Sequence, residues 1–158
     1  MKWKWHESRE YTLDKSLALH GFATTVPPVK VHSAREKLRI LVVEDHADTR
    51  AILKAILESM GHRVKAVATL REGRNCLRAA EIDVVFSDIV LPDGMGWDLL
   101  NGFAFPPHFF AVAMSGHVDS YYDEIKQAGF CCRIDKPISR QDIVASLSRC
   151  FAPPVQAL

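Results

Sequence analysis

The stretch Val84-Val85-Phe86-Ser87-Asp88-Ile89-Val90-Leu91-Pro92-Asp93-Gly94 joins an apolar run, an aspartate and a turn. Val84-Val85-Phe86 shows no alternation with polar residues, the pattern of a strand buried on both faces of a parallel sheet. The run ends in Ser87-Asp88, and Pro92-Asp93-Gly94 supplies turn chemistry. Upstream, Ile40-Leu41-Val42-Val43 has the same character, and residues 64–68 read as a further strand. Between those two, Ile52, Leu53, Ile56, Leu57 and Met60 recur at helical spacing, and Gly61 closes the helix. Leu70, Cys76 and Leu77 mark a second helix, weakened by Gly73. Downstream, the pattern predicts a short helix over residues 97–100, a strand over 109–114, a helix over 119–128 and a strand over 131–134. A last helix starts at Ser139, with Asp142 completing a capping box.

Five strands alternating with five helices call for an α/β fold: a doubly wound, five-stranded parallel sheet with helices on both faces and right-handed crossovers. Such sheets bind ligands outside the carboxyl ends of their strands. Chemistry is therefore expected just after Val43, Phe86, Met114 and Ile134. Glu44-Asp45 follows the first strand, Asp88 ends the third, Ser115 follows the fourth and Lys136 the fifth. Three carboxylates, a hydroxyl and an ammonium thus converge on one edge. Packed carboxylates repel and raise one another's pKa, so the group calls for a counter-charge. A hard divalent cation with oxygen ligands is the natural one, and an open site with few carboxylates suggests Mg²⁺.

Val42-Val43-Glu44-Asp45, residues 87–94, Met114-Ser115-Gly116-His117 and Asp135-Lys136-Pro137 resemble, in order, the four signature segments of the response-regulator receiver family. The resemblance covers about residues 38–151 and implies a flavodoxin-like receiver fold with strand order 2-1-3-4-5. It divides the chain into an N-terminal extension (1–37), a receiver domain (38–152) and a tail (153–158). It implies that Asp88 is the phosphoacceptor, attacking phosphorus as a nucleophile. Asp45 and Asp88 would bind Mg²⁺ directly, Glu44 partly through water, and the Val90 carbonyl would complete the protein ligands. Ser115 and Lys136 would contact the phosphoryl oxygens. The family's donor is a phosphohistidine on a sensor histidine kinase or a histidine phosphotransfer protein, and its output is a downstream protein target or a homodimer. Such a domain catalyses its own phosphorylation without being a turnover enzyme. The family's Lys-Pro bond is cis, which the resemblance carries to Lys136-Pro137. In one respect the chain departs from the pattern: Arg133 stands where the family usually has an aromatic residue. A permanently charged guanidinium does not suit the cavity such a ring enters.

Composition narrows the partners. The chain has 158 residues, 48% hydrophobic and 25% charged, with net charge +1, and neither nucleic acid nor membrane is indicated. Residues 1–37 carry seven Lys/Arg against four Asp/Glu, so the leader is basic while the rest is mildly acidic. The segment predicts a short helix ending near His20 and an extended linker at Pro27-Pro28. It is too short for the helical bundle that a phosphotransfer histidine needs. Trp3 and Trp5 lie between lysines without sustained amphipathic periodicity, so a locally packed or disordered leader is expected. His117 reads as a solvated loop residue. Cys76, Cys131, Cys132 and Cys150 show no metal spacing and read as small buried hydrophobes of a cytoplasmic protein.

The leading reading is a stand-alone response regulator that signals by protein contact or phosphorelay. One alternative is a docking module with a receiver fold that works without phosphorylation, and another is a receiver portion derived from a hybrid histidine kinase. A phosphohydrolase working through an aspartyl phosphate is disfavoured, because Val90 stands where such enzymes carry a second acid.

Overall fold

The computed structural model describes residues 37–106, 108–116 and 121–151. The leader, its helix, Trp3, Trp5, His20, His117 and the 153–158 tail lie outside these residues.

The chain alternates β1 (Arg39–Val43), α1 (Ala47–Ser59), β2 (Arg63–Val67), α2 (Leu70–Ala79) and β3 (Val84–Asp88). A small hairpin follows, β4 (Val90–Leu91) antiparallel to β5 (Gly94–Met95), and then a 3-10 turn over Gly96–Leu100. β6 (Phe110–Ser115), α3 (Tyr122–Gln127), β7 (Cys132–Asp135) and α4 (Arg140–Cys150) complete it. β2-β1-β3-β6-β7 form one sheet in that order, and every pairing is parallel. Counting only these five strands, the order is the expected 2-1-3-4-5.

The strands' period of two splits the core into two layers. Ile40, Val42, Phe86, Val112, Met114 and Ile134 pack with Leu53, Leu57, Ile143 and Leu147 of α1 and α4. Leu41, Val43, Val85, Ala111 and Ala113 pack on the other face with Cys76 of α2, Leu99 of the 3-10 turn and Ile125 of α3. Burial on both faces is why β1 and β3 read as unbroken apolar runs.

The structure sharpens the local expectations. The short third helix forms over Gly96–Leu100, in 3-10 rather than α geometry, and Gly102 then turns with φ +78°. Residues 90–95 form a hairpin rather than an isolated turn. Gly73, read as a weak point in α2, lets the helix approach the sheet. A Cβ there would lie 2.8 Å from Leu99 Cδ1 and 3.0 Å from Val43 Cγ2. At the start of α1 the cap is His46, whose Nδ1 accepts from Thr49 N at 3.4 Å, so the neighbouring Glu44 and Asp45 carboxylates are left for other work. The Ser139–Asp142 capping box of α4 forms as predicted. Among the described residues, no helix is long and apolar enough to cross a membrane.

Candidate functional site

All four strand ends named by the sequence meet at one edge. The parallel register puts Val43 opposite Ser87, Asp88 opposite Met114, and Ser115 opposite Asp135. Lys136 N donates to the Ser115 carbonyl at 2.8 Å, which ties the last two strand ends together. The Lys136-Pro137 bond is cis, as the resemblance implied.

One carboxylate oxygen from each of Glu44, Asp45 and Asp88 falls within 4.8 Å of the others. Glu44 is fully buried and Asp88 nearly so, while Asp45 is exposed and opens the cluster to solvent. Lys136 Nζ sits between them, 2.5 Å from Asp88 Oδ2 and 2.7 Å from Glu44 Oε2. Asp88 Oδ1 accepts from Val90 N at 3.3 Å, and Glu44 Oε1 from His46 N at 3.2 Å. Ser115 is buried at the end of β6 beside this group. Val90 itself is exposed, at the start of the hairpin.

The electrostatics follow from burial. Taking the Glu44 carboxylate out of water pushes its pKa up, and the Lys136 ammonium opposes this only in part. Burial alone would lower Lys136. Its hydrogen bond to Asp88 and its contact with Glu44 outweigh that, and the ammonium is held charged. One cation therefore serves two buried carboxylates, and the third, Asp45, stands beside them without pairing to it. Glu44 Oε2 receives no directed hydrogen bond among the described residues, although the ammonium is close enough to pair with it. A buried, under-coordinated carboxylate oxygen in an all-oxygen donor set fits a hard divalent cation such as Mg²⁺.

Three positioning residues escaped the sequence reading. Gly96 N donates to the Ile89 carbonyl at 2.8 Å, and a Cβ on Gly96 would fall 1.9 Å from the Asp88 carbonyl oxygen. Only glycine lets the hairpin fold back this closely on the backbone that carries Asp88. The spacing Gly94-Met95-Gly96 was the available signal. Asp93 accepts from Leu70 N at 2.7 Å and Arg71 N at 2.9 Å, fastening the hairpin to the start of α2. Those backbone donors hold its carboxyl below the usual range. Arg50 Nη1 donates to the carbonyls of Glu44 (2.7 Å) and Asp45 (2.9 Å), fixing the loop that presents both acids. Nothing in the local sequence announces the Asp93 tie, which spans more than twenty residues, or the back-reach of Arg50 over five and six.

Arg133 lies on β7, its side chain largely covered, with Nε 3.1 Å from Asp135 Oδ1. Residues two apart on a strand share a face, so the pair is a strand-face contact.

Residues 40–148 match the family model described as the response regulator receiver domain. The chain is 29% identical over 96 residues to the sensor histidine kinase AtsR of Burkholderia thailandensis, covering 59% of this chain and 16% of that protein's length. A response regulator receiver domain protein (CheY-like) from Methanospirillum hungatei JF-1 superposes with a TM-score of 0.68 at 26% identity, covering 73% of this chain and 94% of that one. The receiver domain of the sensor histidine kinase PA1611 from Pseudomonas aeruginosa PAO1, with magnesium ion coordinated in its active site cleft, gives 0.65 at 22% identity, covering 73% and 98%.

Proposed function

The chain belongs to the response regulator receiver domain family of two-component signalling, and from that premise we propose that Asp88 accepts a phosphoryl group from a phosphohistidine. The observation that carries this reading is the charge imbalance at the strand ends: three carboxylates lie within reach of one another, and Lys136, the cation among them, pairs with only Glu44 and Asp88. A structural ion pair would have no use for the surplus. A site that must take in a cation and a phosphoryl group together would.

In this reading an Asp88 carboxylate oxygen attacks phosphorus as the phosphorus–nitrogen bond breaks, and the leaving imidazole keeps the electron pair. The bonds from Val90 N and Lys136 Nζ hold the carboxylate's orientation before the attack. Lys136 and the Ser115 hydroxyl then donate to phosphoryl oxygens as charge spreads over them. Glu44, Asp45, Asp88 and the Val90 carbonyl would hold Mg²⁺, which supplies charge neutralisation for the incoming phosphoryl group. The donor would be a sensor histidine kinase or a histidine phosphotransfer protein. The output would be a downstream protein target, a second copy of the chain, or onward relay. The folded unit is proposed as residues 38–152, acting in the cytoplasm. The chain spans a small fraction of the sensor kinase it matches, so a stand-alone regulator and the receiver part of a hybrid kinase both remain compatible with this chemistry.

A second reading, a docking module that works without phosphorylation, draws on Arg133. Its pairing with Asp135 leaves no aromatic ring there to report the event. Intact-mass measurement after incubation with acetyl phosphate and Mg²⁺ separates the two. A gain of one phosphoryl group, lost with chelator and in Asp88→Asn, is expected. Absence of that gain, or a gain that survives Asp88→Asn, would sink the phosphoacceptor reading.

A further inference from the structure

Three of the four cysteines, spread over the sequence without metal spacing, are brought together at the amino end of β7. This is the opposite edge of the sheet from the acidic cluster. Cys131 Sγ lies 3.4 Å from Cys150 Sγ and 4.0 Å from Cys132 Sγ, and the three sulfurs all fall within 4.8 Å of one another. Side chains of neighbouring strand residues point apart, yet β7 begins only at Cys132. Cys131 sits just before it, with both its N–H and its thiol directed at the Ala111 carbonyl, at 2.8 and 3.0 Å. Cys150 arrives from the last turn of α4. All four cysteines are free thiols.

The expectation of small buried hydrophobes holds for Cys76 and Cys150, but it does not account for sulfur meeting sulfur. Cys131 and Cys132 are partly exposed, which gives the group a path to solvent. Sulfurs bound to one thiolate-ligated metal at about 2.3 Å stand roughly 4 Å apart, and here one pair stands at 4.0 Å, another at 3.4 Å and all three within 4.8 Å. No histidine or carboxylate among the described residues joins the cluster. Three sulfurs and no fourth donor suit a soft ion content with three ligands better than zinc, whose structural sites take four.

We propose that Cys131, Cys132 and Cys150 form a three-thiolate site for a soft monovalent cation of the copper(I) type. Binding releases the thiol protons to solvent as three sulfur–metal bonds form. The cation pins the end of α4 to the start of β7, away from the phosphoryl chemistry.

The test uses the full chain, reduced and kept without oxygen, titrated with copper(I) against the chromophoric chelator bicinchoninate. One copper per chain retained against the chelator is expected, with X-ray absorption showing three sulfur neighbours. Cys150→Ser and the partly exposed Cys132→Ser should each weaken retention by more than the roughly 10–100-fold that loss of an outer-shell partner produces. Cys76→Ala should leave it unchanged. Wild-type protein that surrenders copper to the chelator overturns the site, whatever the variants do. So does a two-sulfur spectrum, or wild-type affinity in a folded Cys132→Ser.

Discussion

Two groups of charge sit at opposite ends of one sheet, and each gathers acids around a single cation. At the amino end, Arg39 meets Asp83 through Nε (3.0 Å), Nη2 (2.7 Å) and its own backbone N–H (2.7 Å), and reaches Glu81 as well. The guanidinium fork matches a carboxylate two bonds at a time, so Asp83 is satisfied although nearly buried. At the carboxyl end the cation is Lys136, a point charge shared by Glu44 and Asp88, and Glu44 Oε2 is left short of donors. The first arrangement is closed and stabilises. The second is open and stays poised for a ligand. What separates them is donor geometry as much as the number of acids.

The sharpest break between the two ends is functional. Asp88→Asn should abolish phosphoryl capture, while Asp83→Asn, a nearly isosteric change at the other end, should leave it intact; intact-mass spectrometry reads both. Gly96→Ala comes next. Its methyl would overlap the Asp88 carbonyl, so a loss of about 3 kcal/mol in urea unfolding is expected, the upper end for overpacking, with impaired capture in whatever folds. Asp83→Asn should itself cost about 2 kcal/mol, the scale of hydrogen bonds to a charged group. An unchanged urea midpoint would show that the amino-end cluster contributes nothing.

The smallest effect is a pH slope. Burial raises the Glu44 pKa in the folded state, so the folded chain binds that proton more tightly than the unfolded chain. Its contribution is therefore present at acid pH and lost as pH climbs through and above the ordinary carboxylate range. In chelator-containing buffer, Glu44→Gln should flatten the fall in melting temperature over that range. Arg39 is raised by its hydrogen bonds to Asp83 and Glu81, and its guanidinium stays charged throughout, so Arg39→Lys should leave the same slope in place.

Much of the candidate site was legible in the sequence because parallel strands announce themselves as apolar runs. Whatever follows such a run lands on one edge. Glu44, Asp45, Asp88, Ser115 and Lys136 needed no more than that rule, and all five meet there. The sheet order and the Ser139 capping box were equally local or topological in origin. Asp93 and Arg50 were not legible in these roles, and Gly96 only through its spacing from Gly94, since each acts on backbone brought close by the fold. The short helix over residues 97–100 was legible as well, although its 3-10 geometry was not.

The sequence by itself determined the alternating α/β architecture and the edge where the acids collect, because hydrophobic period and strand direction are properties of the chain. Tertiary structure decided how the charges are shared. It gave Asp83 a saturating guanidinium and Glu44 only part of an ammonium, and it drew Cys131, Cys132 and Cys150 into one group. Sharing of that kind depends on distances and donor directions between elements far apart in the chain, which no local pattern encodes.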